Sequence, residues 1–140
     1  MFYTTPIEPQ VYDSDFQGHT NFLSVSLWFD RARTALYREF EPNLNFREHG
    51  LVILKTEVTY VKEIWLARPV EVRTWTSVVG TKSFEITQEA WQDGEVCAVG
   101  KTIFCGFDFT VHKSEPISPE FRAVLEKFRF DPTAQEAEAE

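Results

Sequence analysis

Only two cysteines occur in the chain, no apolar run approaches the length of a membrane span, and bases are outnumbered by acids. Each shortage removes a class of function. Cys97 and Cys105 lie in strand-like apolar surroundings, so they make neither a disulfide framework nor a metal cluster, and buried reduced thiols are expected. Fourteen Lys and Arg against 22 Asp and Glu leave no basic stripe, which excludes a nucleic-acid partner. A spanning helix needs about 20 apolar residues, and none is present, so no membrane partner is expected. The opening "MFYTTPIEPQ" lacks the charged start and apolar run of a signal peptide, so the expected location is cytoplasmic. There is no internal repeat, and no metal-ligand spacing surrounds His49 or His112, which read as surface or turn histidines.

What the sequence does hold is apolar bulk. Hydrophobic residues make up 43% and thirteen are phenylalanine, ample for one core in 140 residues. Half of the net charge of −8 sits in residues 131–140, "DPTAQEAEAE", which carry four acids and no base. The expected organisation is one domain over residues 1–130 and a frayed, solvated acidic tail over 131–140.

The hydrophobic pattern predicts a strand, a loop, a long helix, a run of strands and a short helix. Pro6 and Pro9 mark the first strand, "FYTTPIEPQVY", as an edge or irregular start. From Phe22 to Phe40 no Pro or Gly intervenes, and Phe22, Val25, Phe29, Ala32 and Leu36 recur at helical spacing. Leu27, Trp28, Ala35 and Phe40 widen that stripe, so a largely covered helix is expected, capped by Asn21 and stopped by Glu41-Pro42. Strands are expected over 51–65, 69–79, 82–91 and 95–109. In the second of these Val70, Val72, Thr74, Thr76 and Val78 share the inward face, and Trp75 falls on the other. In the third, Phe84, Ile86 and Ala90 face inward. Gly80-Thr81 and Gln92-Asp93-Gly94 supply hairpin turns. Gly100 and Gly106 mark bulges or close packing. Ser118 and Pro119 open a helix over 118–128. A long helix followed by consecutive antiparallel strands predicts an α+β fold with the sheet wrapped on the helix. Its open edges make pairing with a second copy an expectation.

The stretch "VYDSDFQGHTNF" (11–22) crowds Asp13, Asp15, Gly18, His19 and Asn21 ahead of the long helix. A helix start presents unpaired N–H groups and the positive end of a macrodipole, and a glycine lets a ligand approach the backbone. Such a place can polarise a carbonyl, while a carboxylate beside it serves as nucleophile or base. Acyl transfer suits these parts. The same residue types are also what turns and caps require, and spacing alone does not separate the two.

"VYDSDFQGHTNF…WFDRAR" resembles the signature of the hotdog-fold acyl-CoA thioesterases of the 4-hydroxybenzoyl-CoA thioesterase type: Asp-x-Asp-x-x-Gly-His, Asn, then a helix with Phe-Glu-x-x-Arg. Asp13, Asp15, Gly18, His19 and Asn21 fit the loop, and Phe29, Asp30 and Arg33 fit the helix, with Asp for Glu. The likeness continues through "EVTYVKEIWLARPVEVRTWTSVVGTKSF" and "PISPEFRAVLEKF", covering nearly all of residues 10–130. It implies a hotdog fold, an antiparallel sheet around one long central helix plus a short C-terminal helix. It also implies a homodimer or dimer of dimers that hydrolyses a thioester to a free acid and coenzyme A. The substrate would be an acyl-CoA or an acyl-carrier protein, with no cofactor beyond the coenzyme A of the substrate and no metal.

Carried over by position, the resemblance makes Asp15 the catalytic carboxylate, with the N–H of Gly18 or His19 polarising the thioester carbonyl at the helix start. Asp13 organises the loop. Asn21 and Phe22 border the substrate, and Phe16 with Phe22 faces the acyl group. Among Lys55, Lys62, Arg68 and Lys82, Lys82 is preferred as a partner for coenzyme A phosphates, because it adjoins Ser83 in the Gly80 hairpin. Phe22 and Val25 replace the Asn and Tyr of many family members, so the acyl end of the pocket differs. Asp30 is a second carboxylate candidate, although at i,i+3 spacing it suits an ion pair with Arg33. Two rival readings share the fold: a non-catalytic acyl-CoA or acyl-carrier binding or interaction module, and an acyl-thioester hydratase or dehydratase, whose His-and-acid motifs are missing here.

Overall fold

The structure, a computed structural model, describes residues 1–15 and 17–134. Of the acidic tail, Asp131 opens a helical turn by accepting from the Thr133 amide at 3.0 Å, and residues 135–140 lie outside the described residues.

One antiparallel sheet is built from β1 (Tyr3–Ile7), β2 (His49–Tyr60), β3 (Val70–Val79), β4 (Ser83–Gln92) and β5 (Glu95–Asp108), in the order β1-β3-β4-β5-β2. A two-residue β6 (Lys113–Ser114) pairs with the end of β5. β1 is an edge strand, as its prolines predict, and β2 forms the opposite edge. The β4–β5 turn has positive φ at both Asp93 (53°) and Gly94 (77°), the backbone that a two-residue hairpin needs.

Two departures from simple alternation shape the sheet. β3 carries a bulge between Thr76 and Val78, so Val78 is exposed and Val79 turns into the core instead. At the bulge the Thr76 amide donates to Phe128 O at 2.9 Å, which brings the last residues onto the outer face. There Phe130 packs edge-on against Trp75, at 5.3 Å, and buries a residue that alternation assigns to the polar face. The strand expected over 51–65 stops at Tyr60, because the amides of Val61 and Lys62 both turn to Cys97 O, at 2.8 and 3.0 Å.

The central helix is bent into α1 (Phe22–Ala32) and α2 (Thr34–Phe40), not continuous over Phe22–Phe40 as its pattern predicts. The cause is Arg33. Its guanidinium is buried against the sheet, where Nη1 donates to Gln88 Oε1 at 3.0 Å and Thr102 Oγ1 at 3.4 Å, and Nε donates to Tyr37 OH at 3.0 Å. Gln88 in turn donates to Phe29 O at 2.8 Å and Thr74 Oγ1 at 3.0 Å. A charge and a helix carbonyl are thus drawn toward one polar belt where the helix turns, and the Arg33 amide is shared between Phe29 O and Asp30 O, both at 3.1 Å.

That belt divides the core. On one side Ile7, Val25, Trp28, Phe29, Val72 and Ala98 pack together; on the other Leu36, Phe84, Ile86, Phe104, Phe121 and Leu125 do. Gly100 marks close packing, since a Cβ there would meet the Phe29 ring at 2.7 Å. Both cysteines are free and buried, and burial raises the Cys97 thiol pKa. α3 (Pro119–Lys127) closes the second half, with Ser118 Oγ accepting from the Phe121 amide at 3.2 Å. No helix among the described residues is long and apolar enough to cross a membrane.

Coverage of the helix is less complete than its wide stripe predicts. Phe22, Leu23 and Leu27 of α1 are exposed in the single chain, as are Ile53 and Leu54 on the free edge of β2.

Candidate active site

The loop before α1 is closed at both ends. Asp13 ends a 3-10 turn (Val11–Asp13); its buried carboxylate accepts from the Gln10 amide at 2.7 Å, and its carbonyl accepts from the Asn21 amide. Asn21 then caps α1, its Oδ1 taking the Leu23 amide at 2.8 Å and its carbonyl the Ser24 amide at 3.1 Å. Between these posts Asp15 folds the chain around itself. Its Oδ1 accepts from the amides of Gln17 (2.9 Å) and His19 (3.1 Å), and its own amide donates to His19 O at 2.8 Å. Gly18 takes φ +78°, a backbone that disfavours other residues, which accounts for glycine in this turn. Among the described residues its amide has one long contact, 3.4 Å to Asp15 O. Gly18 and His19 therefore lie in the loop four and three residues ahead of the first helical residue, Phe22, and not in the helical turn itself.

Asp15 is exposed, and among the described residues nothing donates to its Oδ2. It stands at an open cleft of about 360 Å³ with His19, Val25, Tyr60, Lys62 and Glu63. The His19 ring meets Trp65 edge-on at 4.4 Å, and its Nε2 lies 3.8 Å from Glu63. Tyr60 OH donates to Phe22 O at 2.9 Å, fastening the first turn of α1 to the end of β2. An exposed carboxylate at a cleft, with one oxygen steadied by amides, is equipped to remove a proton or attack a carbonyl.

The chain matches the model of the thioesterase-like superfamily over residues 9–125. It belongs to that superfamily. A predicted thioesterase from Bacillus stearothermophilus is 33% identical over 94% of this chain and 99% of its own, with a TM-score of 0.89. A Staphylococcus aureus protein solved in complex with CoA is 14% identical and superposes over 94% of this chain and 87% of its own, with a TM-score of 0.83. A thioesterase from Thermus thermophilus, complexed with coenzyme A and zinc, is 20% identical and covers 92% and 95% of the two chains, with a TM-score of 0.80. No curated protein matches. The curled sheet on a bent central helix is the hotdog fold of these thioesterases.

The remaining residues singled out in this thioesterase-like chain are not gathered at Asp15. Ser83 opens β4 and Lys82 precedes it, whereas Gln92, at the other end, bonds the loop beside His19. Nine strand rises of about 3.3 Å separate the two ends, roughly 30 Å, so one chain does not bring Lys82 or Ser83 to Asp15. Phe22 is exposed beside Tyr60, and Phe16 lies outside the described residues. Asp30 accepts from Arg33 at 3.2 Å and Tyr37 at 3.3 Å, the ion-pair role, and burial raises the Tyr37 hydroxyl pKa. Lys62, Arg68 and Lys55 face Glu95, Asp93 and Glu57 at 2.7, 3.0 and 3.7 Å.

Tyr60, Glu63 and Trp65 escape the sequence reading because "YVKEIW" continues a strand-like pattern; Lys62-Glu63 within it is the signal that the strand has ended. His49, isolated along the chain, meets Glu115 at 2.9 Å, and that carboxylate raises its pKa. His49, Glu115 and Asp108 bring ligand-type atoms within 4.8 Å of one another at the far end of the sheet.

Proposed function

We propose that this chain is an acyl-CoA thioesterase of the 4-hydroxybenzoyl-CoA thioesterase type, with Asp15 as its carboxylate. The observation that carries the reading is the Asp15 loop, which lines a cleft with an exposed carboxylate whose Oδ1 is held by two amides. Asp15 either takes a proton from the water that attacks the thioester carbon or attacks that carbon itself, giving an anhydride that water then cleaves. In both routes the C–S bond breaks and sulfur leaves as thiolate. A thiol pKa near about 8.5 means that no strong acid is needed to expel it. The Gly18 amide, only loosely held at 3.4 Å, turns to the carbonyl oxygen as negative charge develops there. Coenzyme A bound to the Staphylococcus and Thermus proteins, which share this fold, supports it as the thiol carrier.

The active form is a homodimer joined along β2. A free twelve-residue edge flanked by exposed Ile53 and Leu54, with exposed Phe22, Leu23 and Leu27 on the helix, supports this. A twofold axis makes two such edges antiparallel. The end of one sheet where β4 begins, with Lys82 and Ser83, then comes to the Asp15 end of its neighbour, where the lysine can meet a phosphate of coenzyme A. Light scattering at micromolar concentration is expected to give twice the 16.3 kDa chain mass, and a monomer throughout would refute the shared site.

The activity itself is tested by free-thiol release from acyl-CoAs that vary in chain length and aromaticity. Release from at least one is expected. Binding without release from any would mark the chain as an acyl-CoA binding module instead.

A further inference from the structure

Beside the Asp15 loop runs the connection from β2 to β3, residues 61–69, and its course is set by one buried side chain. Gln92, the last residue of β4, is 4% exposed. Its Oε1 accepts from the Trp65 amide at 2.9 Å, and its Nε2 donates to Trp65 O at 2.9 Å and to Arg68 O at 3.1 Å. Only one amide orientation serves all three, because the reverse would set an NH2 against the Trp65 N–H. No other side chain substitutes: Glu lacks the donor, Leu lacks both functions, and Asn is a methylene too short. The bond to Arg68 O spans Ala67, which sits at φ +65° and is held there despite its Cβ. Asp93, next in the chain, takes the Arg68 guanidinium at 3.0 Å.

What the gripped segment supports is the candidate site. Trp65 pairs with His19 as an isolated β-bridge, and the Thr20 amide donates to Ile64 O at 2.9 Å. The Trp65 ring meets the His19 imidazole at 4.4 Å, and the His19 amide is one of the two that hold Asp15 Oδ1. A continuous set of contacts thus runs from Gln92 through Trp65 and His19 to Asp15.

We propose that Gln92 is a positioning residue of this site: by clamping Trp65 it fixes the His19 ring and, through the His19 amide, the Asp15 carboxylate. The proposal rests on the thioesterase reading for its effect on rate, but its geometric part does not.

Gln92→Glu tests it with little change of volume. At neutral pH the carboxylate still accepts from the Trp65 amide but repels the two carbonyl oxygens. The expected result is a kcat for thiol release lowered about 10- to 100-fold with KM little changed, the scale of a small misplacement of a reacting group. In NMR spectra the His19 ring signals are expected to move, while those of His49 and His112 stay, which a general loss of fold would not allow. Trp65→Ala removes the ring through which the clamp reaches the His19 imidazole but keeps the backbone that Gln92 grips, so the two substitutions are expected to couple, the double variant losing less than the product of the two. Unmoved His19 signals, unchanged kcat, or losses in the two variants that simply multiply would overturn the proposal. A wild-type chain that releases no thiol overturns the thioesterase reading alone, because the His19 response needs no substrate.

Discussion

Asp15→Asn is expected to lower acyl-CoA hydrolysis by about 10²–10⁴-fold, the range for loss of a positioned acid–base group, without moving the melting transition. The two halves of that expectation come from the two oxygens. Oδ1 is structural here, taking the Gln17 and His19 amides at 2.9 and 3.1 Å, and an Asn carbonyl oxygen can keep both bonds. Oδ2 carries the chemistry, and the amide nitrogen that replaces it neither accepts a proton nor attacks a carbonyl. The side chain is exposed, so the neutral residue leaves no buried group unpaired. Asp15→Ala, by contrast, frees both loop amides and is expected to lose activity together with loop order. Asp30→Asn separates the two carboxylates. Asp30 is bound to Arg33 and Tyr37, so this substitution is expected to leave most of the rate intact. Thiol release and a thermal melt on the same preparations decide the matter, and near wild-type turnover in Asp15→Asn would remove the assignment.

How far the sequence could be read depended on the range of the interactions involved. Local chemistry was legible: Ser118 and Pro119 start α3, Asp93-Gly94 turns the last hairpin, and Asn21 caps α1. Period-two alternation placed Phe84, Ile86 and Ala90 in the core. The loop around Asp15 was legible too, since its bonds span at most four residues. The break at Arg33 was not. It depends on Gln88 and Thr102, 55 and 69 residues away, and nothing in an uninterrupted helical pattern reports them. The exposure of Phe22 and Leu27 likewise follows from what the chain leaves uncovered, whereas periodicity shows only which residues share a side. Lys82 was preferred for coenzyme A phosphates because it adjoins Ser83 in the Gly80 hairpin, yet β4 sets both at the far end of the sheet from Asp15. His49 and Glu115 are brought together by the pairing of β2 and β6 with β5.

The largest stability loss is expected from Phe29→Ala. Phe29 is almost fully buried, at 2% exposure, and its ring fills the notch that Gly100 leaves in β5. Truncating a buried Phe costs about 3–5 kcal/mol, from lost transfer energy and an unrelaxed cavity. For a domain of this size that is a fall in melting temperature on the order of 10–20 °C. The fit between ring and glycine makes a sharper test than the single change. Gly100→Ala sets a methyl 2.7 Å from the Phe29 ring, on the rigid floor of a central strand, and is expected to cost about 1–3 kcal/mol by itself. In the double variant the same methyl enters the cavity left by the missing ring, so the combined loss is expected to be smaller than the sum of the two single losses. Denaturant melts of the four proteins measure that coupling. Strictly additive losses would mean that the glycine is not there for the ring. The consequence extends to the helix bend, because the carbonyl of Phe29 accepts the Gln88 amide that also braces Arg33. If the ring anchors α1 at this point, the double variant recovers the Arg33 belt along with part of the stability. Amide exchange at Arg33 should then be slower in it than in Phe29→Ala alone.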